Sequence, residues 1–245
     1  MKIRISRSVV PNLFTVLNIF FGFLCILSAM QRKFVLAGLY VVFSAICDTL
    51  DGVMARLTHS SSEFGVQLDS LADAVAFGAA PSVLMYALFL SNFGPFGTLI
   101  ASAPLVFGAL RLARFNVQLV GFSKDHFVGV PIPLSALTLV SFMFFFGPDA
   151  ISVSVELQYI FAALVLVCGL LMVSTISYPV LPKFSMKSFR QQPVTTWGSV
   201  AAAVIIAATL GKALFPIFAV ILLSGIVLSL YKSMRRMFGA PGPAK

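Results

Sequence analysis

The sequence predicts an all-α, polytopic integral membrane protein with about eight transmembrane helices, and three observations lead to this prediction. Hydrophobic residues make up 59% of the 245 residues and charged residues only 10%, with a mean hydropathy of +1.01. A soluble domain has about a quarter of its residues charged. The apolar residues also fall into stretches of the ~20 residues that a helix needs to cross a bilayer. Finally, the Lys and Arg residues lie mainly in every second connection between the apolar stretches, which is the distribution typical of membrane proteins.

The eight predicted spans follow one another through short connections and include no internal repeat. We predict them at residues 11–30, 34–57, 66–91, 97–117, 131–146, 156–180, 194–210 and 213–231. No soluble domain is recognisable, so we expect one transmembrane domain over residues 1–245, with a cytosolic juxtamembrane segment at 1–10 and a disordered tail at 238–245.

The distribution of charge predicts the orientation. With eight spans, fourteen of the seventeen Lys and Arg residues lie on one side, and only Arg32, Lys33 and Lys212 lie on the other. The positive-inside rule makes the first side cytosolic, so both termini are expected in the cytosol. The net charge of +9 is therefore interpreted as a topology signal and as a source of contacts with anionic lipid headgroups, not as a nucleic-acid interface.

Acidic residues are concentrated in one stretch of the chain. Of the eight acidic residues, five lie within CDTLDGVMARLTHSSSEFGVQLDSLADAVAFG, and four of these are the aspartates Asp48, Asp51, Asp69 and Asp73. The first two are three residues apart and the last two are four apart, so each pair occupies one helical face. Because the connection between the two spans is short, the helices are antiparallel neighbours. We therefore expect all four carboxylates to meet near the cytosolic surface.

This cluster indicates a site for divalent cations. Ionised carboxylates are costly inside a membrane, and four in one hairpin repel one another unless cations neutralise them. Hard oxygen ligands suit Mg²⁺ or Mn²⁺, and two such ions balance four carboxylates. A pair of divalent ions commonly stabilises a phosphoryl or pyrophosphate group during displacement. Gly52 and Ala55 are small enough to let a ligand approach the backbone, and Arg56 offers a cation for a phosphate. The alternative is a solvated helix end without a ligand.

The spacing of these residues resembles a family signature. Residues Asp48 to Asp73 read D-x2-D-G-x2-A-R-x8-G-x3-D-x3-D, which is similar to the pattern of the CDP-alcohol phosphotransferases. The resemblance implies a helical membrane fold, usually homodimeric, with a dinuclear metal site held by the four aspartates. It also implies transfer of a substituted phosphate from a CDP-linked donor to an alcohol, with release of CMP. Asp73 would then be the general base.

Three further stretches resemble members of that family that use serine. They are PNLFTVLN in the first span, ALRLARFNV at the end of the fourth and GVPIPLSA at the start of the fifth. The resemblance implies CDP-diacylglycerol and L-serine as substrates, and phosphatidylserine and CMP as products. The donor-binding residues it implies are Asn12, Thr15, Asp51, Gly52, Ala55, Arg56, Ser62 and Gly65. Those for the acceptor or a lipid phosphate are Arg111, Arg114, Asn116 and Pro131.

Several alternatives stay open at this stage. A related enzyme using glycerol 3-phosphate or an inositol compound would carry the same aspartates. A cation transporter would also contain intramembrane acids, although transporters place them near the midplane between structural repeats. Arg111 and Arg114 could simply extend to the membrane surface as topology signals. The role of Pro131 and Pro133 could be limited to shaping the start of a helix.

Overall fold

The computed structural model describes residues 9–58, 62–121, 129–176 and 214–237, and every regular element in these ranges is helical. The predicted all-α class is therefore confirmed. The predicted span 194–210 and the predicted tail at 238–245 lie outside the described residues. The first helix begins at Val9, so it includes the last two residues of the segment predicted to precede the membrane.

The helices are named here in chain order. They are α1 (Val9–Met30), α2 (Phe34–Thr58), α3 (Glu63–Asp73), a π-helical segment (Ala74–Ala79), α4 (Ala80–Leu88), a 3-10 turn (Leu90–Phe93), α5 (Gly94–Gly121), α6 (Ile132–Phe146), α7 (Pro148–Val153), α8 (Val155–Val173) and α9 (Leu214–Met237).

Five stretches within the described part of the chain are long and apolar enough to cross a bilayer. They are Pro11–Met30, Phe34–Thr58, Glu63–Leu88, Leu90–Val117 and Val155–Val173. Two shorter apolar helices, Ile132–Phe146 and Leu214–Gly225, correspond to the predicted fifth and last spans. The chain is therefore an integral membrane protein, but the count of eight spans is not confirmed.

Helix α1 buries a narrow face of small and polar residues. Thr15, Asn18, Gly22, Cys25 and Ala29 recur at helical spacing, and all five are buried. The opposite face carries exposed large apolar residues, as expected for contact with lipid. Small side chains let helix backbones come close together where no water is available to drive association. This face packs against α2 and against the run from α3 to α4.

A π-helical segment follows directly after Asp73. Within it, hydrogen bonds span five residues, as from the Ala80 N–H to the Val75 carbonyl. Single π turns inside α-helices occur often at functional sites. The segment is held by close helix contacts, because a Cβ on Gly22 of α1 would lie only 2.8 Å from the Ala76 Cα. The extra residue per turn alters the direction of side chains after Asp73 relative to those before it.

An aromatic core fills the end of the bundle opposite the aspartates. The Phe161 ring stacks on Phe89 with centroids 5.0 Å apart and lies 4.4 Å from Phe142. Phe215 at the start of α9 meets Phe142 edge-on at 5.0 Å. This cluster ties α4, α6, α8 and α9 together. The polar residues of the candidate site are thus confined to the other end of the bundle.

Candidate active site

Three of the four predicted aspartates converge where α2 ends and α3 begins. One oxygen each from Asp48, Asp51 and Asp69 lies within 4.8 Å of the other two. Asp51 is buried, with 7% of its surface exposed, whereas the other two are partly exposed. The hairpin joining the helices therefore brings together residues that are up to 21 positions apart in the sequence.

Asp73 lies deeper than this group of three. Only 9% of its surface is exposed, its carboxyl contacts that of Asp48, and it interacts electrostatically with Arg111 of α5. It is the last residue of α3 before the π-helical segment. The structure thus separates the quartet into three carboxylates that can share one ion and a fourth that lies between them and a buried arginine.

The unsatisfied oxygens of this cluster fit divalent cations. Asp51 Oδ2, Asp69 Oδ1 and Asp73 Oδ1 are buried, and none has a hydrogen-bond partner among the described residues. Buried polar atoms are nearly always paired, so unpaired carboxylate oxygens in close proximity indicate ligands that complete the site. Carboxylate oxygens are the donors that Mg²⁺ and Mn²⁺ prefer. The residues present are therefore suited to hold such ions.

A cleft of about 130 Å³ opens beside the three aspartates. It lies between the start of α1, the end of α2 and the start of α3, and it includes seven of the eight residues predicted to bind the donor. Its lining is Pro11, Asn12, Thr15, Asp51, Gly52, Ala55, Ser62, Gly65, Val66 and Asp69. The predicted residue outside the lining is Arg56, which is exposed with its Nη1 close to Gly52.

Ser62 and Gly65 form the start of α3 on one wall of this cleft. The Ser62 hydroxyl accepts a hydrogen bond of 3.0 Å from the Gly65 N–H, which is an N-cap interaction. A Cβ on Gly65 would lie 3.2 Å from the Ser62 Oγ and 3.5 Å from the Asn12 Oδ1. Glycine at this position therefore leaves the space between the capping serine and α1 open to a ligand.

The opposite wall of the cleft is formed by the first turns of α1. The Thr15 hydroxyl donates to the Pro11 carbonyl at 3.2 Å and lies near the Asp51 carboxylate. Asn12 is one turn earlier on the same face and lines the cleft with its side chain partly exposed. These polar groups border the aspartates and offer hydrogen-bond partners to a ligand in the cleft.

The predicted acceptor residues on α5 divide into two kinds. Arg111 is 92% buried, its Nε has no partner in the described structure, and it interacts electrostatically with Asp73. Arg114 instead donates from Nη1 to the Val173 carbonyl at 3.1 Å and from Nη2 to the Ser174 carbonyl at 3.4 Å. A cation at these carbonyls stabilises the C-terminus of α8. Arg111 is therefore the better placed of the two for a ligand beside the aspartates.

The other two predicted acceptor residues contribute to packing around this region. The Asn116 amide donates to the Ser70 hydroxyl at 3.0 Å and thereby joins the end of α5 to α3. Pro131 is the N-cap of α6, and the Ser135 N–H donates to its carbonyl at 3.1 Å. Both residues position the helices that border the aspartates.

Two polar residues near the site were not singled out from the sequence. Ser70 follows Asp69 directly and bonds with Asn116 across 46 residues of sequence. Asn18 lies fully buried on α1, three residues after Thr15. The signal for Asn18 was present, because an amide in an apolar span at that spacing falls on the same helical face as Thr15. No local signal indicates the partner of Ser70.

Comparison with known proteins agrees with this geometry. The family model described as CDP-alcohol phosphatidyltransferase matches residues 8–173. The chain is similar to a CDP-diacylglycerol–serine O-phosphatidyltransferase of Helicobacter pylori, with 41% identity over 176 residues, covering 69% of this chain and 71% of the relative. A protein of the same name from Bacillus subtilis is 32% identical over 181 residues, covering 73% and 94%.

A third relative comes from an archaeon. The archaetidylserine synthase of Methanothermobacter thermautotrophicus is 34% identical over 171 residues, covering 69% of each chain. The family match includes the whole aspartate hairpin and the helices α1 to α8 that surround it. The chain therefore belongs to the CDP-alcohol phosphatidyltransferase family.

Proposed function

We propose that the protein transfers the phosphatidyl group of CDP-diacylglycerol to the hydroxyl of L-serine, giving phosphatidylserine and CMP. The observation that carries this proposal is the convergence of Asp48, Asp51 and Asp69 beside a cleft lined by the residues predicted to bind the donor. The names of the relatives from Helicobacter pylori and Bacillus subtilis support CDP-diacylglycerol as donor and serine as acceptor.

The donor would occupy the cleft with its pyrophosphate toward the aspartates. Asp48, Asp51, Asp69 and Asp73 would together hold two divalent cations, Mg²⁺ or Mn²⁺. When bound, these ions neutralise the pyrophosphate and increase the electrophilicity of the phosphorus that bears the diacylglycerol. Asn12 and Thr15 of α1 offer hydrogen bonds to the cytidine portion.

The remaining residues around Gly52 would hold the nucleotide phosphates in place. Gly52 and Gly65 keep the walls of the cleft free of Cβ atoms, and Ala55 adds only a methyl group. Arg56 at the rim provides a fixed positive charge for a phosphate. The Ser62 hydroxyl accepts the Gly65 N–H as the cap of α3, and its own O–H would donate to a phosphate oxygen.

Asp73 would act as the general base. Its carboxyl takes the proton of the serine hydroxyl while the hydroxyl oxygen forms a bond with the phosphorus. The bond from this phosphorus to the CMP oxygen breaks at the opposite side, and CMP leaves with the electron pair. A buried carboxylate adjacent to the other three, facing the acceptor side, is placed for this transfer.

Arg111 would bind the carboxylate of serine. An amino-acid carboxylate needs a cationic partner, and guanidinium groups bind carboxylates with two hydrogen bonds. Arg111 is buried, interacts electrostatically with Asp73 and has an unpaired Nε, which supports this role. Arg114, Asn116 and Pro131 would support the acceptor side by fixing α5, α8 and α6. The acceptor is thus held next to the base.

The reaction can be tested by offering several alcohols to the purified protein. CDP-diacylglycerol and Mn²⁺ or Mg²⁺ are supplied with labelled serine, glycerol 3-phosphate or inositol, and the lipid product is identified by mass spectrometry. We expect serine to enter lipid with stoichiometric release of CMP. A product formed only from glycerol 3-phosphate or an inositol compound would contradict serine as acceptor while leaving the family assignment intact.

Orientation and assembly form part of the proposal. We place the aspartates and both termini on the cytosolic side, supported by the distribution of Lys and Arg, and we expect a homodimer. Labelling of single cysteines introduced at Gln31 or Lys187, in a protein without its three native cysteines, tests the orientation. A membrane-impermeant reagent applied to intact cells should label the first position only, and the reverse pattern would contradict the orientation. Chemical cross-linking in the membrane tests the dimer.

A further inference from the structure

We propose that Asn18 is a positioning residue that holds the Asp73 carboxylate through its side-chain amide. The inference rests on the proposed function, because it concerns the group that would accept the proton. The Asn18 side chain has no exposed surface, and neither its Nδ2 nor its Oδ1 has a hydrogen-bond partner among the described residues. Burying both halves of an amide without partners is unfavourable. The amide therefore requires a polar group nearby with which it can pair, directly or through a water molecule.

The contacts of the neighbouring residues locate this amide. On the same face of α1, Thr15 lies near the Asp51 carboxylate, and Gly22 packs against the backbone of Ala76. On the α2 side, the Ser44 hydroxyl donates to the Asn18 carbonyl at 3.2 Å. Asn18 thus lies between the level of Thr15, where the cleft opens, and the level of Gly22, where α1 touches the π-helical segment.

The helix register places the aspartates around that level. Helices α1 and α3 run in the same direction, and Asn18 lies four residues before Gly22, while Asp73 lies three residues before Ala76. Asn18 and Asp73 therefore each lie about one helical turn before the close contact between Gly22 and Ala76. Asp48 is one turn after Ser44 on α2. Asn18 consequently forms the floor of the cluster, below Asp48 and Asp73.

The two unsatisfied groups are chemically complementary. Asn18 Nδ2 is a donor without an acceptor, and Asp73 Oδ1 is an acceptor without a donor. The two atoms share no direct hydrogen bond in this structure, and one bridging water would satisfy both and fix the rotamer of the carboxylate. An oxygen of a carboxylate has two lone pairs, so Oδ1 can accept this hydrogen bond and still contact a cation, while the other oxygen faces the reaction. Hydrogen bonds to carboxylates at metal sites commonly determine their orientation in this way.

The test compares Asn18→Leu, which has a similar size but no amide, with Asn18→Ser, which keeps a small donor. CMP release from CDP-diacylglycerol is measured, so that the result does not depend on which alcohol is the acceptor. We expect turnover to fall about 10–100-fold in Asn18→Leu and to recover in part in Asn18→Ser. Mn²⁺ binding, measured from the EPR signal of the free ion, should stay within about threefold of the wild type, because the metal-holding aspartates are unchanged.

Ser82→Ala is the matched control. Ser82 is also buried with an unpartnered hydroxyl, but it lies in α4, beyond the π-helical segment. Its loss should leave turnover within about twofold. If Asn18→Leu and Ser82→Ala reduce turnover and melting temperature equally, Asn18 has only a packing role and the inference is wrong.

A double-mutant cycle with Asp73→Asn gives the sharper result. Because Asn18 acts through Asp73, adding Asn18→Leu to Asp73→Asn should reduce turnover by less than about threefold further. A further loss as large as that of Asn18→Leu in the wild-type background would overturn the inference. Failure of the wild type to use serine would contradict the proposed function but would leave this cycle readable through CMP release.

Discussion

The two ends of the candidate site are built in different ways. On the donor side, residues of one helical hairpin and the start of α1 all face a single cleft. On the acceptor side, α5 carries two arginines one turn apart, of which Arg111 interacts electrostatically with Asp73 and Arg114 binds the carbonyls at the end of α8. The proposed metal and nucleotide contacts thus come from one hairpin and the start of α1 beside it. The proposed acceptor contacts come from helices that are distant in the sequence.

Because the two sides are built differently, we expect them to respond differently to substitutions. A hairpin holds its ligands by local geometry, so a change there affects the metal site directly. The acceptor side relies on contacts such as Asn116 to Ser70 and Arg114 to Val173, which are easily confused with substrate-binding groups when only the sequence is known. Substitutions on the two sides should therefore have separable effects on binding and turnover.

The largest expected effect is that of Asp73→Asn. The amide keeps the size of the side chain but lacks the charge and the basicity that proton transfer requires. Loss of a positioned general base lowers the rate by about 10²–10⁴-fold, so turnover at saturating metal and substrates should fall by at least the lower value. CDP-diacylglycerol binding should decline less than in Asp51→Asn, which removes a ligand from the group of three. Near-normal turnover in Asp73→Asn would mean that another group takes the proton.

A smaller effect is expected for Arg111→Met. Loss of a hydrogen-bonded ionic contact to the serine carboxylate should raise the KM for serine by about 10–100-fold. The KM for CDP-diacylglycerol should stay within about threefold. Arg114→Met is the matched control, since Arg114 donates to two main-chain carbonyls at the end of α8, and it should lower the melting temperature with little change in the KM for serine. The same rise in serine KM for both variants would remove the distinction between the two arginines.

The smallest effect on chemistry, and a clear one on stability, is expected for Gly22→Ala. The added methyl group would meet the Ala76 backbone at 2.8 Å, and neither helix can move without disturbing the π-helical segment. Overpacking of this kind costs about 1–3 kcal/mol. Gly108→Ala is the control, because its Cβ would meet only the flexible end of Ile132 at 3.3 Å. Thermal unfolding in detergent should show a clearly lower midpoint for the first variant only, and equal midpoints would contradict the tight packing.

Helical spacing was sufficient to predict how the aspartates pair, whereas the α1 residues of the cleft were predicted from the family resemblance. Asp48 with Asp51, and Asp69 with Asp73, share faces by periodicity, and a short connection makes the two helices neighbours. The spacing did not predict that Asp73 would be buried more deeply than the other three, next to Asp48 and near Arg111. That deeper position depends on burial against α5, and the π-helical segment after Asp73 has no reliable local signature.

Long-range contacts account for the rest of what the sequence did not predict. The role of Arg114 depends on the end of α8, which lies 59 residues away in the sequence. The burial of Asn18 depends on how closely α1 approaches α2 and the π-helical segment. The predicted span 194–210 lies outside the described residues, so its position stays a prediction.

The comparison between the two sides is tested most directly by nucleotide binding. Binding of CMP to the purified protein is measured by calorimetry with and without Mn²⁺, side by side for the wild type, Asp51→Asn and Arg111→Met. We expect Mn²⁺-dependent binding in the wild type, a loss of at least about tenfold in affinity for Asp51→Asn, and wild-type affinity within about threefold for Arg111→Met. Equal losses in the two variants, or CMP binding that is independent of the metal in the wild type, would contradict the account.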